Sequence, residues 1–444
     1  MAIANSYRRP EMNQRLHLNA ELEIARLGQR GEGLARFEGV NLAVPYALPG
    51  ELIRAEIDGE RAKLVDVIRP SADRVAAFCP HFTVCGGCAV QTLAQQAYEN
   101  WKRELIVQAL RYAKIDTEIA PLIDAHGEGR RRATFHSRVI DDGPSRKRLE
   151  LGFMQARAHT IVPIPDCPIL DPGLKGAMEA ARAAATVLIP LGKPLDVVVT
   201  TPMEGLDVDL RGCGALDFGY NQALIEVAHK HDLARISNHG EAIIERRIPT
   251  LQMGKALVAI PPGGFLQATA KGEHVLATLV SEATTGAKKI ADLFAGSGTF
   301  ALRLAERAEV LAIESDAGAV KALARGAAHA EGLRGVKAER RDLFTRPLMG
   351  GELDKIDAIV FDPPRAGAEA QARALAGSKV PLIVGVSCNV QTFARDARLL
   401  IDGGYRLEKV TPVDQFRHSA HVELVGVFRR IPDPKPKRRG RLLG

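Results

Sequence analysis

Aromatic residues are scarce, at 5% of the 444-residue chain with one tryptophan, so a base-stacking surface does not follow from composition. No uninterrupted apolar run is long enough to span a bilayer, which leaves no candidate transmembrane helix and no membrane partner. The stretch Met1 to Arg15 carries charged and polar residues where a secretory signal needs an apolar core, a reading that points to the cytosol. Cysteine is sparse as well, at Cys79, Cys85, Cys88, Cys167, Cys213 and Cys388. In a cytosolic chain these argue against a disulfide scaffold and for metal or catalysis.

What is present allows ordinary cores: 46% of residues are hydrophobic, over a length that suits two to four domains. The net charge of +7 favours a polyanionic partner, the more so because basic residues cluster. Arg130, Arg131, Arg132, Arg138, Arg146, Lys147 and Arg148 form one group, and Lys435, Lys437, Arg438, Arg439 and Arg441 form a basic tail. Near the start, five short β-type runs are punctuated by glycines without a helix: Ala20 to Leu27, Gly33 to Phe37, Val40 to Val44, Glu51 to Ile57 and Lys63 to Ile68. They predict a small barrel of the oligonucleotide-binding kind.

The loop Cys79-Pro80-His81-Phe82-Thr83-Val84-Cys85-Gly86-Gly87-Cys88 is more specific. Three soft thiolates grip one face of a cluster or metal if the glycines let the loop fold around it. A fourth ligand is then required. Cys167, in the turn Pro165-Asp166-Cys167-Pro168, is the best candidate, and His81 is the rival for a zinc site. Further on, a helix from Gln91 to Lys114, antiparallel strands from Thr134 to Thr160 around Asp142-Gly143, an alanine-rich helix from Leu174 to Leu188 and strands at Leu195 to Thr200 and Leu206 to Leu210 read as a central α/β unit. It carries the arginine cluster, and nothing in it looks catalytic.

From Phe265 the rhythm becomes strand, turn, helix. Lys289 to Leu302 reads as a buried strand, a turn at Gly296 and Gly298, and a helix to Arg307. The glycines let backbone N–H groups approach a ligand, and the helix start favours anionic groups. Gly296, Gly298 and Ala301, followed by Glu314, also fit the dinucleotide fingerprint, so the turn alone leaves a nicotinamide, a flavin or a methyl donor open. Later strands narrow the choice. Glu314 ends the second strand and suits two ribose hydroxyls. Asp362-Pro363-Pro364-Arg365 ends the strand Ala358 to Phe361 as a rigid wall for a flat ring, and Ser387-Cys388-Asn389 ends Leu382 to Val386. Repeated βα units predict a parallel sheet with ligands at the strands' carboxyl ends. A dehydrogenase has no need of the Asp-Pro-Pro turn, so S-adenosylmethionine is the favoured cofactor.

Cys388 has a task if the acceptor is a pyrimidine carbon. C5 of uracil is too weak a nucleophile to take a methyl group until a thiolate adds at C6, and the C5 proton must then leave before the thiolate is expelled. Cys388 fits the nucleophile, and Glu423, in His421-Val422-Glu423, fits the base.

Asp292-Leu293-Phe294-Ala295-Gly296-Ser297-Gly298, Asp362-Pro363-Pro364-Arg365, Ser387-Cys388-Asn389 and His421-Val422-Glu423 resemble the RNA uracil-5-methyltransferase family. The cysteines at 79, 85, 88 and 167 resemble its iron–sulfur branch, and the first β unit resembles the RNA-binding TRAM domain. The resemblance runs from about Leu16 to Phe428. It implies an α/β chain: a TRAM/OB-like β-barrel at 12–72, an iron–sulfur loop and central α/β recognition domain at 73–258, a Rossmann-like class I methyltransferase domain at 259–431, and a basic tail at 432–444. It implies Gln267, Phe294, Glu314 and Asp362 as cofactor contacts, with Thr299 and Asp342 secondary, Cys388 as nucleophile and Glu423 as base. Cys79, Cys85, Cys88 and Cys167 would hold a [4Fe-4S] cluster with a structural or RNA-ordering role. The implied reaction makes 5-methyluridine in structured RNA, with 23S ribosomal RNA favoured over transfer RNA. A nitrogen-directed nucleic-acid methyltransferase, which needs no thiolate, is the alternative. One departure from the family pattern is Gln415-Phe416-Arg417-His418, where many members are expected to carry a methionine and a proline.

Overall fold

The structure is a computed structural model and describes residues 18–141, 143, 147–156 and 158–432. The polar start around Arg8 and Arg9, the first domain boundary at residue 12, Asp142, Arg146 and the basic tail from residue 433 lie outside the described residues. Packing divides the chain into two compact units. Among the described residues, the first comprises 18–83 with Cys88–Trp101 and His418–Ala420; the second comprises Val84–Gly87, Lys102–Arg417 and 421–432.

In the first unit β1 (Leu18–Glu23), β2 (Arg26–Leu27), β3 (Gly33–Phe37), β4 (Val40–Val44), β5 (Leu52–Asp58) and β6 (Arg61–Arg69) form one sheet in the order β1-β5-β6-β4-β3-β2. Alternation at period two turns Ile53, Ala55 and Ile57 of β5 into a core with Leu22, Leu42 and Val44. The first expected strand is two strands. It breaks at buried Ile24, whose N–H bonds the carbonyl of Glu51 (3.0 Å) and whose carbonyl takes the N–H of Gly50 (2.8 Å). Helix α1 (Gln95–Tyr112) starts later than expected because Leu93 still pairs as an isolated bridge with Arg74.

The second unit carries two large sheets and a two-stranded one among its described residues. After the short strands β7 (Glu118–Ile119) and β8 (Ile123–Asp124) come β9 (Arg132–Asp141), β10 (Lys147–Met154), β11 (Ile161–Val162), β12 (Leu195–Thr200), β13 (Asp207–Arg211), β14 (Arg235–Asn238) and β15 (Glu241–Glu245). Their order is β11-β10-β9-β12-β13-β14-β15. Helices α2 (Ala177–Val187) and α3 (Phe218–Lys230) share one core with Ala133, Phe135, Val197, Val199, Val208 and Leu210 from this sheet. A hairpin of β16 (Thr250–Met253) and β17 (Ala256–Ala259) follows.

The second large sheet of this unit holds the strand ends singled out in the sequence. Its elements are α4 (Ala270–Ala283), β18 (Lys289–Leu293), α5 (Ala301–Leu304), β19 (Glu309–Glu314), α6 (Ala317–His329), β20 (Val336–Arg340), β21 (Ala358–Phe361), α7 (Glu369–Ala376), β22 (Leu382–Ser387), α8 (Val390–Asp402), β23 (Tyr405–Asp414) and β24 (Glu423–Arg430). The order is β20-β19-β18-β21-β22-β24-β23-β7, with β8 also beside β23. Strands β18 to β22 are parallel, and β24 runs antiparallel to both β22 and β23. Successive residues of β21 face opposite layers. Ile359 and Phe361 join one core with Leu375 and Phe393, while Ala358 and Val360 join the other with Leu276 and Leu323. Helices therefore cover both faces, and ligands are left the crevice at the strand ends where the winding reverses, between β18 and β21.

Candidate active site

At the first strand end, β18 runs into Phe294, whose φ of 61° is left-handed, then into Gly296 (54°) and Gly298 (107°). A left-handed phenylalanine costs about 1–3 kcal/mol and persists only where its surroundings hold it. Here the Ala295 N–H bonds the Ile313 carbonyl (3.0 Å), the Gly298 N–H bonds the Ala295 carbonyl (3.0 Å), and the Phe294 ring packs on Phe344 at 5.5 Å. A Cβ at Gly298 would lie 2.7 Å from Leu302, whereas one at Gly296 would meet nothing within 4 Å. Packing and φ thus require glycine at 298, and the Gly296 face of the turn is open. The helix beyond, α5, has only four residues, shorter than the run to Arg307 that the sequence suggested. The turn's backbone, more than a helix field, is what it offers a ligand.

Glu314 closes the second strand end onto this turn. Its carboxylate accepts the N–H groups of Gly296 (3.0 Å), Ser315 (2.6 Å) and Asp316 (2.9 Å). Beyond β20, Asp342 accepts the Phe344 N–H (2.9 Å) and the Thr345 hydroxyl (3.1 Å), which fixes the ring facing Phe294. Beneath the turn Asp292 is fully buried, and neither of its oxygens has a hydrogen-bond partner. Burial pushes its carboxyl well above the usual range. The Ala301 amide dipole opposes this without reaching hydrogen-bond geometry, and the charges of Asp362 and Glu314 add to it.

At the third site-bearing strand end, the Asp362 N–H bonds the Leu293 carbonyl (3.3 Å) across to β18. After the two prolines the Gly367 N–H closes onto the Pro364 carbonyl (2.8 Å). Helix α8 clamps this loop: the Thr392 hydroxyl donates to the Arg365 carbonyl (3.3 Å), and Asp396 accepts the Ala368 N–H (2.7 Å). Cys388 lies just before that helix, whose cap Asn389 accepts the N–H groups of Gln391 (3.0 Å) and Thr392 (3.2 Å). The Asp-Pro-Pro loop and the cysteine are therefore held by one element. Strand β24 completes the edge. Ser387 pairs with Leu424, and continuing the antiparallel register by one pair sets Cys388 opposite Glu423.

Burial governs the electrostatics. It pushes Asp362 up to about 7 and, with the charge of Asp362 added, pushes Glu423 up to about 8. The Cys388 thiol is pushed up to about 11 by burial, then by Glu423 and Asp362, while Arg365 favours the ionised forms of both Cys388 and Glu423. Arg365 Nη2 lies 3.3 Å from His421 Nε2. Burial and the nearby cations Arg365, Lys102 and Arg130 pull His421 down to about 4. The imidazole is therefore neutral near pH 7, and because arginine only donates, Nε2 accepts and the ring proton rides on Nδ1.

Two buried amides join the carboxyls. Gln267 Nε2 donates to Asp362 Oδ2 (3.1 Å), and Gln415 Nε2 donates to Gln267 Oε1 (2.8 Å) and to Glu423 Oε1 (3.1 Å). Sequence reasoning marked Gln415 only as a departure from the family pattern. No local signal reveals the chain, because it joins three distant segments, around Gln267, Asp362 and Gln415 to Glu423.

Of the arginine cluster, Arg131 is interior. It pairs with Glu273 and donates Nε to the Gln267 carbonyl (3.0 Å), while Arg303 reaches Glu273 (2.7 Å) and the Thr299 carbonyl (2.6 Å). Cys79, Cys85, Cys88 and Cys167 are half-buried. A Cβ on Gly86 would sit 2.8 Å from the Met154 carbonyl, and the Gly87 N–H points at Cys85 Sγ (3.4 Å). Thiol donors suit an iron–sulfur cluster. Among the described residues, however, no three His, Cys, Asp or Glu side chains form a set that would hold a metal ion. No helix among them is long and apolar enough to cross a membrane.

Counted from the glycine turn, the strand order is three, two, one, four, five, seven, six, with the seventh reversed. That sheet, with its site at the carboxyl ends, defines a class I methyltransferase. The tRNA (Uracil-5-)-methyltransferase family profile matches residues 255–430. An uncharacterised RNA methyltransferase of Brucella suis is 45% identical over 92% of this chain and 97% of its own. The 23S rRNA (uracil(1939)-C(5))-methyltransferase RlmD of Chromohalobacter salexigens is 32% identical over 90% of this chain and 87% of its own. Among solved structures, the Pyrococcus abyssi tRNA (uracil-54, C5)-methyltransferase in complex with S-adenosyl-L-homocysteine shares the fold at a TM-score of 0.69 and 24% identity, covering 92% of this chain and 99% of that one. The chain belongs to the RNA uracil-5-methyltransferase family and is an RNA methyltransferase.

Proposed function

We propose that this enzyme methylates C5 of a uridine in structured RNA, 23S ribosomal RNA in preference to transfer RNA, through a covalent adduct on Cys388. The observation that supports the reading is the pairing of Ser387 with Leu424, the neighbours of Cys388 and buried Glu423, together with the action of the Glu423 and Asp362 charges on the Cys388 thiol. S-adenosylmethionine, held by Gln267, Phe294, Glu314 and Asp362, would supply an electrophilic methyl group. A uridine flipped from its stack meets the Cys388 sulfur at C6. The thiol must first give its proton to solvent, and as the C6–S bond forms the C5–C6 π pair moves onto C5 and the C4 carbonyl, which makes C5 the nucleophile. From a value of about 11, roughly one thiol in a thousand is ionised at pH 8, a cost of about 4 kcal/mol. That cost already includes the opposing effect of Arg365 and would be larger without it. After methyl transfer Glu423 takes the C5 proton, the C–H electron pair becomes the C5–C6 double bond, and the C6–S bond breaks with its pair returning to sulfur.

The wider assignment keeps the β unit at 12–72 as a TRAM-like RNA-binding domain, 73–258 as the recognition domain and 259–431 as the methyltransferase domain, in a cytosolic protein. A [4Fe-4S] cluster on Cys79, Cys85, Cys88 and Cys167 is supported by donor chemistry and spacing alone, and no step depends on it. Protein purified without oxygen should be brown, and stoichiometric zinc without iron would overturn the cluster. Transfer RNA is the second reading, supported by the name of the matching family, tRNA (Uracil-5-)-methyltransferase. Labelled methyl transfer to 23S and transfer RNA transcripts, followed by nucleoside digestion, tests both. The expected product is 5-methyluridine in the 23S transcript, and label on a base nitrogen would refute the C5 assignment.

A further inference from the structure

Gln415 is wholly buried and opens the stretch Gln415-Phe416-Arg417-His418 that departs from the family pattern. Its hydrogen-bond directions are set by its neighbours. Gln267 points Nε2 at Asp362, so it turns Oε1 toward Gln415. Gln415 must answer with its NH2 group, and the second N–H of that group reaches Glu423. Its own carbonyl oxygen accepts the Thr269 N–H (3.4 Å). Thr269 is fixed in turn, its hydroxyl donating to the Ala125 carbonyl (2.6 Å) and accepting the Gly272 N–H (2.8 Å). A flipped amide would set carbonyl oxygen against both the Gln267 oxygen and the carboxylate. Room for the side chain is built in: a Cβ on Gly272 would lie 2.6 Å from Gln415 Oε1 and 2.8 Å from its Cβ.

Resting on the reading of Glu423 as the base, we infer that Gln415 is a positioning residue, orienting the Glu423 carboxylate and tying it through Gln267 to Asp362. A methionine at 415 fills similar volume but donates nothing, which leaves the Gln267 oxygen and the carboxylate without that N–H. The other charged or titratable groups that face Glu423 are Asp362, Arg365 and Cys388; near the end of β23 Lys102 pairs with Asp414 (3.0 Å) and also donates to the His421 carbonyl, and His421 is neutral. Loss of a donor to the ionised form raises a carboxyl's proton affinity. The step affected is removal of the C5 proton and not formation of the C6–S bond.

The test follows the methylated Cys388–RNA adduct by denaturing gel from pH 7 to pH 10, with uridine RNA and S-adenosylmethionine, in the native protein, Gln415→Met and Gln415→Leu. Thermal unfolding of each variant checks the fold. Both variants should accumulate about tenfold more adduct near pH 7, and the midpoint of adduct resolution should move up by about one pH unit, the equivalent of that factor. An unchanged midpoint, or a slowing equal at every pH, would overturn the role. Native protein that forms no adduct with 5-fluorouridine RNA would instead remove the reading beneath it, and this inference with it.

Discussion

Asp362, Cys388 and Glu423 all keep their protons to unusually high pH, and two expectations follow. The single-turnover rate should rise from pH 7 through about 8 if, as proposed, Glu423 acts ionised and Cys388 acts as thiolate; a rate that falls over that range contradicts the assignment. Stability should run the other way. The folded value of Glu423, about 8, lies above its ordinary 4.5, so between those values the unfolded chain sheds a proton that the folded chain keeps. Stability is full below about 4.5 and declines as pH rises toward 8. Glu423→Gln should therefore raise the melting temperature by a few degrees at pH 8.5, at about 2–4 °C per kcal/mol for a large domain, and far less at pH 5. The sequence named these residue types from motifs. It did not reveal Asp292, whose burial without a partner emerges only in three dimensions, nor Gln415, whose partners lie on remote segments.

Elements buried on both faces were the ones the sequence showed best. Ala358 to Phe361 matches β21 because a parallel strand covered by helices reads as a continuous apolar run. Strand β20 has no fully buried residue, and β23 contains Pro412 among alternating polar residues, so neither stands out in the sequence. Helix α5 is shorter than the apolar pattern to Arg307 suggests, and the first strand is interrupted at Ile24. The glycine turn was legible as a turn, and its packing yields a prediction. Gly298→Ala forces a methyl against Leu302 at φ 107°, for about 1–3 kcal/mol of overpacking and about 1–2 kcal/mol of left-handed strain. A lower urea midpoint and weaker S-adenosylmethionine binding are expected; an unshifted midpoint would mean that the turn relaxes freely.

Across the second unit, Arg131, the residue before β9, is tied to the sheet of β18 to β24 by meeting Arg303 on Glu273 of α4. Glu273→Gln leaves two cations without their buried anion and should cost about 3–5 kcal/mol, read as a fall in unfolding free energy. Arg131 appeared in the sequence only as part of a basic cluster, because charge alone does not tell a phosphate-facing arginine from an interior one. The account as a whole depends on one bond. Peptide mass spectrometry of the protein after incubation with 5-fluorouridine RNA and S-adenosylmethionine tests it, since fluorine at C5 cannot leave as a proton and the adduct persists. The predicted result is a single link from the Cys388 sulfur to C6 of the methylated base; a link to any other residue, or 5-methyluridine made by Cys388→Ala, would contradict it.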